Sequence, residues 1–277
     1  MLLGIDVSKW QGEMDWNKAR SAGARFAFAR AGSCNLVSGD CYTDYQFERN
    51  ALIAPDYMPI GFYWYFRPQH NPITQANYFC ELIRDRRNKL PAVIDLEHTG
   101  DLTPTQITAS TSQMARQMFH RMGKWPLLYT RAMWLNANTI SDPIWKLLQL
   151  WIARYKSIPG PWSDGLCKPR DFAKWFFWQF SADNNGQGPA FGATKSKSID
   201  LDYFNGDEQD LNRYIGEVAV QKLIKIKTRI STIDSGPGGV ANGVTWKGTR
   251  WSSLGLSEDG KYIKVEGWIK AENVEQL

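Results

Sequence analysis

The sequence predicts an irregular, TIM-like (β/α) barrel followed by a small all-β module. Eight strand-length apolar runs alternate with longer, helix-like segments between residues 2 and 204. The runs are nearly continuous in apolarity, as expected of strands covered on both faces in a parallel sheet or barrel. After about residue 216 the pattern changes to short alternating segments and Gly-rich turns. The expected domains are therefore 1–215 and 216–277.

The strand candidates in order are LLGIDV (2–7), RFAFARA (25–31), PIGFYWYF (59–66), LPAVIDLE (90–97), WPLLYT (125–130), LQLWIARY (148–155), WFFWQF (175–180) and SIDLDYF (198–204). Between them, helices are expected at 44–53 and 72–88, with the clearest starting at Thr103. Pro104 occupies the first helical position and Gln106 completes a capping-box pattern. Gly123 is the natural stop. Eight strands with helical crossovers favour a barrel or a close variant. In the tail, QKLIKIKTRI alternates apolar and basic residues, SGPGGVANG reads as a loop, and TWKGTRW, KYIKVEG and GWIKAENV read as further strands.

Composition narrows the function classes. The 277 residues are 43% hydrophobic, enough for a substantial core. The chain holds 13 Trp, 11 Tyr and 13 Phe. Those not needed in the core suit flat sugar faces. The net charge of +5 favours an anionic partner. No long Lys/Arg run supports nucleic acid, and no apolar segment reaches the roughly 18 residues of a membrane span. MLLGID lacks the basic and apolar regions of a secretory signal, so the expected starting location is the cytoplasm. Of the four cysteines, Cys34 and Cys41 are close enough for a loop disulfide. Free thiols in a reducing cytoplasm are the favoured reading. No C-x-x-C, H-E-x-x-H, Walker A, G-x-G-x-x-G or G-x-S-x-G motif occurs, so no metal or cofactor is expected. A Cys–His hydrolase lacks any local signature.

The strongest local signal is Val93-Ile94-Asp95-Leu96-Glu97. Residues i and i+2 of a strand share a face, which sets Asp95 and Glu97 together with Cα atoms roughly 6.5–7 Å apart. They lie at the C-terminal end of an apolar strand, where barrel enzymes carry their sites. Breaking a glycosidic bond needs one protonated carboxyl for the leaving oxygen and one carboxylate for the charge developing on the sugar. A salt-bridged pair or a metal site is the competing reading of this motif. Asp6 in the first strand and Asp200 in the last add two acids at the same mouth. Unpaired buried carboxylates are too costly to be explained by stability. Asp202 shares a face with Asp200 and competes with it. Tyr63, Tyr65, Tyr129 and Trp151 are the candidate substrate-binding aromatics. Tyr155 and Trp178 lie nearby, and alternation requires some of these rings to pack against helices. His98 is expected to face away from Glu97.

At these residues the chain resembles glycoside hydrolase family 25, the lysozymes of many phage endolysins and bacterial autolysins. GIDVSKWQG, GFYWYF, PAVIDLE, LYTRAMW, LWIARY, WQFSAD and IDLDYFNG carry the likeness in order over roughly residues 1–215. The resemblance implies cleavage of the β-1,4 bond between N-acetylmuramic acid and N-acetylglucosamine. It implies Glu97 as general acid and Asp95 as its partner. Asp6 and Asp200 match the family's other active-site acids, and Tyr63 its G-x-Y tyrosine. Trp64 departs from the pattern, where histidine is common. Asp95 is left either as nucleophile or as the group that orients the substrate's own acetamide. Chitinase-type barrels would require Asp at positions 90 and 93, where Leu90 and Val93 stand. The tail resembles an SH3-like wall-binding module. The expected partner is bacterial peptidoglycan, with a phage endolysin waiting in the host cytoplasm until it is released to the wall. The main alternative is an inactive carbohydrate-binding protein.

Overall fold

The computed structural model describes residues 1–156, 160–165, 168–182 and 186–219, together with the strands between Leu223 and Gln276. Cys167 and the SGPGG turn lie outside the described residues. Two compact units result, Met1–Ile215 and Gly216–Leu277.

The first unit is a closed sheet. Its strands are β1 (Leu2–Val7), β2 (Ala27–Cys34), β3 (Cys41–Thr43), β4 (Ile60–Tyr65), β5 (Val93–Asp95), β6 (Leu127–Arg131), β7 (Gln149–Ala153), β8 (Phe177–Ser181) and β9 (Asp200–Phe204). The order is β1-β9-β8-β7-β6-β5-β4-β2-β3, and β1 also pairs with β2, so eight strands close and β3 is appended to β2. Neighbours among β1, β2 and β4 through β8 are parallel, β3 is antiparallel to β2, and β9 is antiparallel to both β8 and β1. This corrects the all-parallel expectation. Only a 3-10 turn, Gly188–Phe191, is described between β8 and β9, in place of the α-helix that usually carries a parallel return.

Strand alternation sorts the side chains. Ile5, Ala27, Ala29, Phe62, Trp64, Ile94, Leu128, Leu150, Ile152 and Trp178 point outward into the core shared with the helices. The opposite parity fills the barrel. Phe28 stacks on Trp151 at 4.4 Å and meets Phe177 edge-on at 5.0 Å. Phe26 also meets Phe177, and Phe177 packs on Phe204. Glycine makes room for this column. A Cβ at Gly4 would lie 2.3 Å from the Phe26 ring, and one at Gly61 would lie 2.6 Å from Phe28.

The helices follow their caps. Helix α4 (Pro104–Met122) has the capping box reciprocally made, and Gly123 ends it at φ 70°. Helix α3 (Pro72–Ile83) starts on Asn71, whose side chain accepts from the N–H groups of Ile73 and Thr74. It stops earlier than expected because residues 84–88, RDRRN, offer no apolar face. Arg86 and Arg87 instead pair with Glu48 and Asp56. Helix α2 (Phe47–Ile53) starts later than expected, because the Asp44 carboxylate accepts from the backbone N–H groups of Lys9 and Gln46. Helices α1 (Trp16–Ser21), α5 (Ala132–Asn138) and α6 (Glu208–Ala219) complete the described set. No helix among the described residues is long and apolar enough to cross a membrane.

The second unit contains β10 (Leu223–Ile226), β11 (Ile230–Asp234), β12 (Ala241–Trp246), β13 (Arg250–Ser252), β14 (Gly255–Leu256), β15 (Tyr262–Lys264), β16 (Trp268–Lys270) and β17 (Val274–Gln276). They form antiparallel sheets ordered β13-β10-β17 and β12-β11-β16-β15-β14.

Candidate active site

The inward parity that fills the barrel with rings below presents polar groups at one mouth. A cleft of about 280 Å³ opens there. All eight candidates, Asp6, Tyr63, Tyr65, Asp95, Glu97, Tyr129, Trp151 and Asp200, line it. Asp6 and Asp200 are direct register partners across β1 and β9. Because β9 runs backwards, its first residue stands at the mouth where the other strands end. Asp202 lies two residues deeper, roughly 6.5 Å along the strand.

Strand β5 stops at Asp95, so Glu97 stands just beyond it. Backbone bonds hold this stretch on both sides. Phe66 N–H donates to the Asp95 carbonyl at 2.9 Å, and Leu96 N–H to the Tyr129 carbonyl at 2.9 Å. The following loop turns through Gly100 and Asp101, both at positive φ. His98 accepts from the Gly100 N–H through Nδ1, which makes it a loop residue outside the cleft lining.

Gln179 knits the cleft together. Its Nε2 donates to Asp6 Oδ2 at 2.6 Å. Its Oε1 accepts from the hydroxyls of Tyr129 at 2.8 Å and Tyr155 at 3.1 Å. Trp151 is a floor residue. It is 1% exposed, stacks on Phe28, and donates its indole N–H to Asp202 at 2.7 Å. The exposed ring at the rim is Trp10, 66% accessible, with the Lys9 ammonium 4.8 Å from its centroid. Tyr65 lies between two guanidinium groups, Arg67 at 4.6 Å and Arg30 at 5.7 Å from its ring. Trp64 has the opposite parity. It is buried outside the barrel, donating to Gln75 and stacking on Phe79.

Burial dominates the electrostatics. It raises the proton affinity of Asp6 to about 7 and of Asp200 to about 9. Asp95 is pushed well up by burial, then by the charges of Glu97 and Asp6. Asp202 is likewise raised by burial and by Asp6. Asp95 Oδ1 is buried with no hydrogen-bond donor among the described residues. Five carboxyls in one small space do not ionise together near neutral pH, so the cleft stores protons.

Glu97 is raised by burial and opposed by Arg131, whose Nη2 lies 3.2 Å from Oε2. The ion pair favours the ionised form, against the protonated form that an acid needs. Arg131→Gln is therefore expected to raise the Glu97 pKa further. If Glu97 is the acid, activity falls as pH rises through that pKa, so the alkaline limb of kcat/KM should move to higher pH. An unchanged limb would disconnect Glu97 from it.

Asp200→Asn should cut activity more than Asp202→Asn, because Asp200 faces the cleft and Asp202 faces Trp151. Parallel rate measurements on the two variants check the order, and the reverse order would assign Asp202 to the site.

Reading motifs missed Arg30, Arg131 and Gln179. Each shares inward parity with a residue on its own strand: Phe28, Tyr129 and Phe177. That parity was the available signal. Trp10 follows β1 in a 3-10 turn and had none.

The model of the family described as glycosyl hydrolases family 25 matches residues 5–189. Lysozyme M1 of Streptomyces globisporus is 32% identical over 216 residues, covering 73% of this chain and 67% of that protein. An uncharacterized protein, YegX of Escherichia coli O157:H7, is 30% identical over 221 residues, covering 76% and 72%. The crystal structure of a bacterial lysozyme from Streptomyces coelicolor superposes with a TM-score of 0.65 at 27% identity, covering 78% of this chain and 98% of that one. The chain thus belongs to glycosyl hydrolases family 25.

Proposed function

We propose that this protein is a muramidase that hydrolyses the β-1,4 bond between N-acetylmuramic acid and N-acetylglucosamine in bacterial peptidoglycan. The observation that carries the reading is the convergence of Asp6, Asp95, Glu97 and Asp200 in one cleft. Burial keeps protons available there at neutral pH. The lysozymes and muramidases among its relatives support the substrate class.

In this reading Glu97 donates its proton to the leaving sugar oxygen. Arg131 leaves Glu97 as the substrate enters, which restores the acid's proton. Asp95, which lines the cleft, either attacks the anomeric carbon or holds the acetamide N–H while the acetamide oxygen attacks. Either route retains the anomeric configuration. Tyr63 lies beside Asp6 and Asp95 and supplies a hydroxyl to the reacting acetamido group. Asp6 is held by Gln179, and that contact couples it to Tyr129 and Tyr155. Trp10 offers a sugar platform at the rim.

The reading includes the tail as an SH3-like wall-binding module that raises the enzyme's effective concentration on its polymer. It also includes a phage-endolysin role, with the enzyme held in the host cytoplasm until it reaches the wall. Both rest on the sequence resemblance set out above.

Digestion of purified, insoluble peptidoglycan tests the reaction class. Solubilisation with new reducing sugar ends is expected. Solubilisation with new amino groups and no reducing ends would replace the glycosidase by an amidase or peptidase.

A further inference from the structure

Cys34 and Cys41 take no part in the chemistry of the cleft, yet the fold sets them face to face. Cys34 ends β2, Cys41 begins β3, and the two are direct partners in the antiparallel register. Asn35 N–H donates to the Asp40 carbonyl at 2.8 Å, and Asp44 N–H donates to the Ala31 carbonyl at 2.8 Å. Bonded and non-bonded pairs alternate along an antiparallel ladder, so 34/41 is a non-bonded pair. In such pairs Cα atoms lie about 4.5 Å apart and side chains approach most closely. That separation is within the range a disulfide bridges. Each thiol perturbs the other, raising the Cys34 pKa and lowering that of Cys41.

We propose that Cys34 and Cys41 form a reversible dithiol–disulfide site, closed by exchange with a small disulfide of the glutathione type. The bond locks β3 onto β2, the strand whose Arg30 lines the cleft. Contacts to Tyr65 and His70 tie the hairpin to the rest of the barrel, and an Arg30–Tyr42 contact braces it internally. Ser33 Oγ donates to the Tyr65 carbonyl at 2.7 Å, Arg30 donates to the Tyr42 hydroxyl at 2.9 Å, and His70 Nε2 lies 3.0 Å from the Leu36 carbonyl.

The two sulfurs divide the work. Cys34 is 1% exposed and Cys41 is half-buried, so Cys41 is the thiol a solute reaches. The Cys34 thiol favours the Cys41 thiolate, and thiolate is the attacking form. Cys41 attacks one sulfur of the small disulfide, its S–S bond breaks, and one small thiolate leaves. Cys34 then gives up its proton and attacks the Cys41 sulfur, expelling the second small thiolate. The protein's two thiols are oxidised to one disulfide. The small disulfide is reduced to two thiols, which take up the two protons. In a reducing compartment the pair stays open, and in an oxidising one it closes.

The test uses the native full-length chain incubated in oxidised glutathione, then alkylated and cut with trypsin. Residues 31–49 form one fragment that contains both cysteines. The expected fragment is unalkylated and lighter by two hydrogens, and it becomes doubly alkylated after dithiothreitol. Thermal unfolding of the oxidised protein should shift up by about 5 °C, because the bond removes freedom from the unfolded chain. Cys34→Ser should instead hold a glutathione adduct on Cys41 and show no such shift. Cys41→Ser should stay unmodified at Cys34. Two alkylated cysteines in the oxidised wild type would overturn the proposal. A lasting Cys41–glutathione adduct in the wild type would overturn it too, since Cys34 would then not resolve it. None of these readouts depends on the muramidase reading.

Discussion

Glu97→Gln is expected to leave a folded protein with its rate of peptidoglycan cleavage reduced by about 10²–10⁴ or more, the share a general acid supplies. The substitution keeps the shape of the side chain and removes its proton. Glu97 lies beyond the end of β5 and its side chain pairs with Arg131, itself 58% exposed. Little packing is therefore at stake, and the unfolding temperature should stay within a few degrees. Turnover of solubilised glycan strands, read beside a thermal melt, separates the two effects. A folded variant with near-normal turnover would end the assignment of Glu97 as the acid.

Asp95→Asn is the second large effect, expected to lower the rate by at least about 100-fold. It carries a second signature. The charge of Glu97 raises the Asp95 pKa. Two repelling carboxyls therefore give up their last proton, as a pair, at higher pH than a lone one would. Neutralising position 95 removes that repulsion and should shift the alkaline limb of kcat/KM to lower pH. Arg131→Gln should shift the same limb to higher pH. Opposite displacements from two neighbours of one carboxyl would identify that carboxyl as the titrating acid. Two shifts in one direction would place the limb on another group.

Much of the barrel could be read from period-2 alternation. The eight apolar runs became the eight closing strands, and the parity of Asp95 in Val93-Ile94-Asp95 matched its place inside. The Thr103–Pro104–Gln106 box and Gly123 fixed α4 at both ends, because capping is local chemistry. Strand direction was not legible. An antiparallel strand with both faces covered carries the same apolar run as a parallel one, so β9 gave no sign of its reversal. That reversal is what seats Asp200 opposite Asp6 and buries Asp202, a choice the sequence left open. Strand β3 escaped notice because three half-buried residues make no apolar run. Gln179 escaped because its parity marks it only as inward-facing, not as a hydrogen-bonding hub. Its role depends on Asp6, Tyr129 and Tyr155 arriving from three other parts of the chain.

Trp64 shows how parity also settles a departure from a family pattern. A neighbour of Tyr63 on the same strand faces the helices, and Gln75 satisfies its indole there. Trp64 therefore falls outside the cleft.

The most direct test of the central claim is mass spectrometry of the products from purified peptidoglycan after borohydride reduction. The account predicts that the newly reduced end is muramitol, and that it disappears with Glu97→Gln. A reduced glucosamine end would contradict the bond assigned here, and free peptide stems with intact glycan strands would contradict the glycosidase itself.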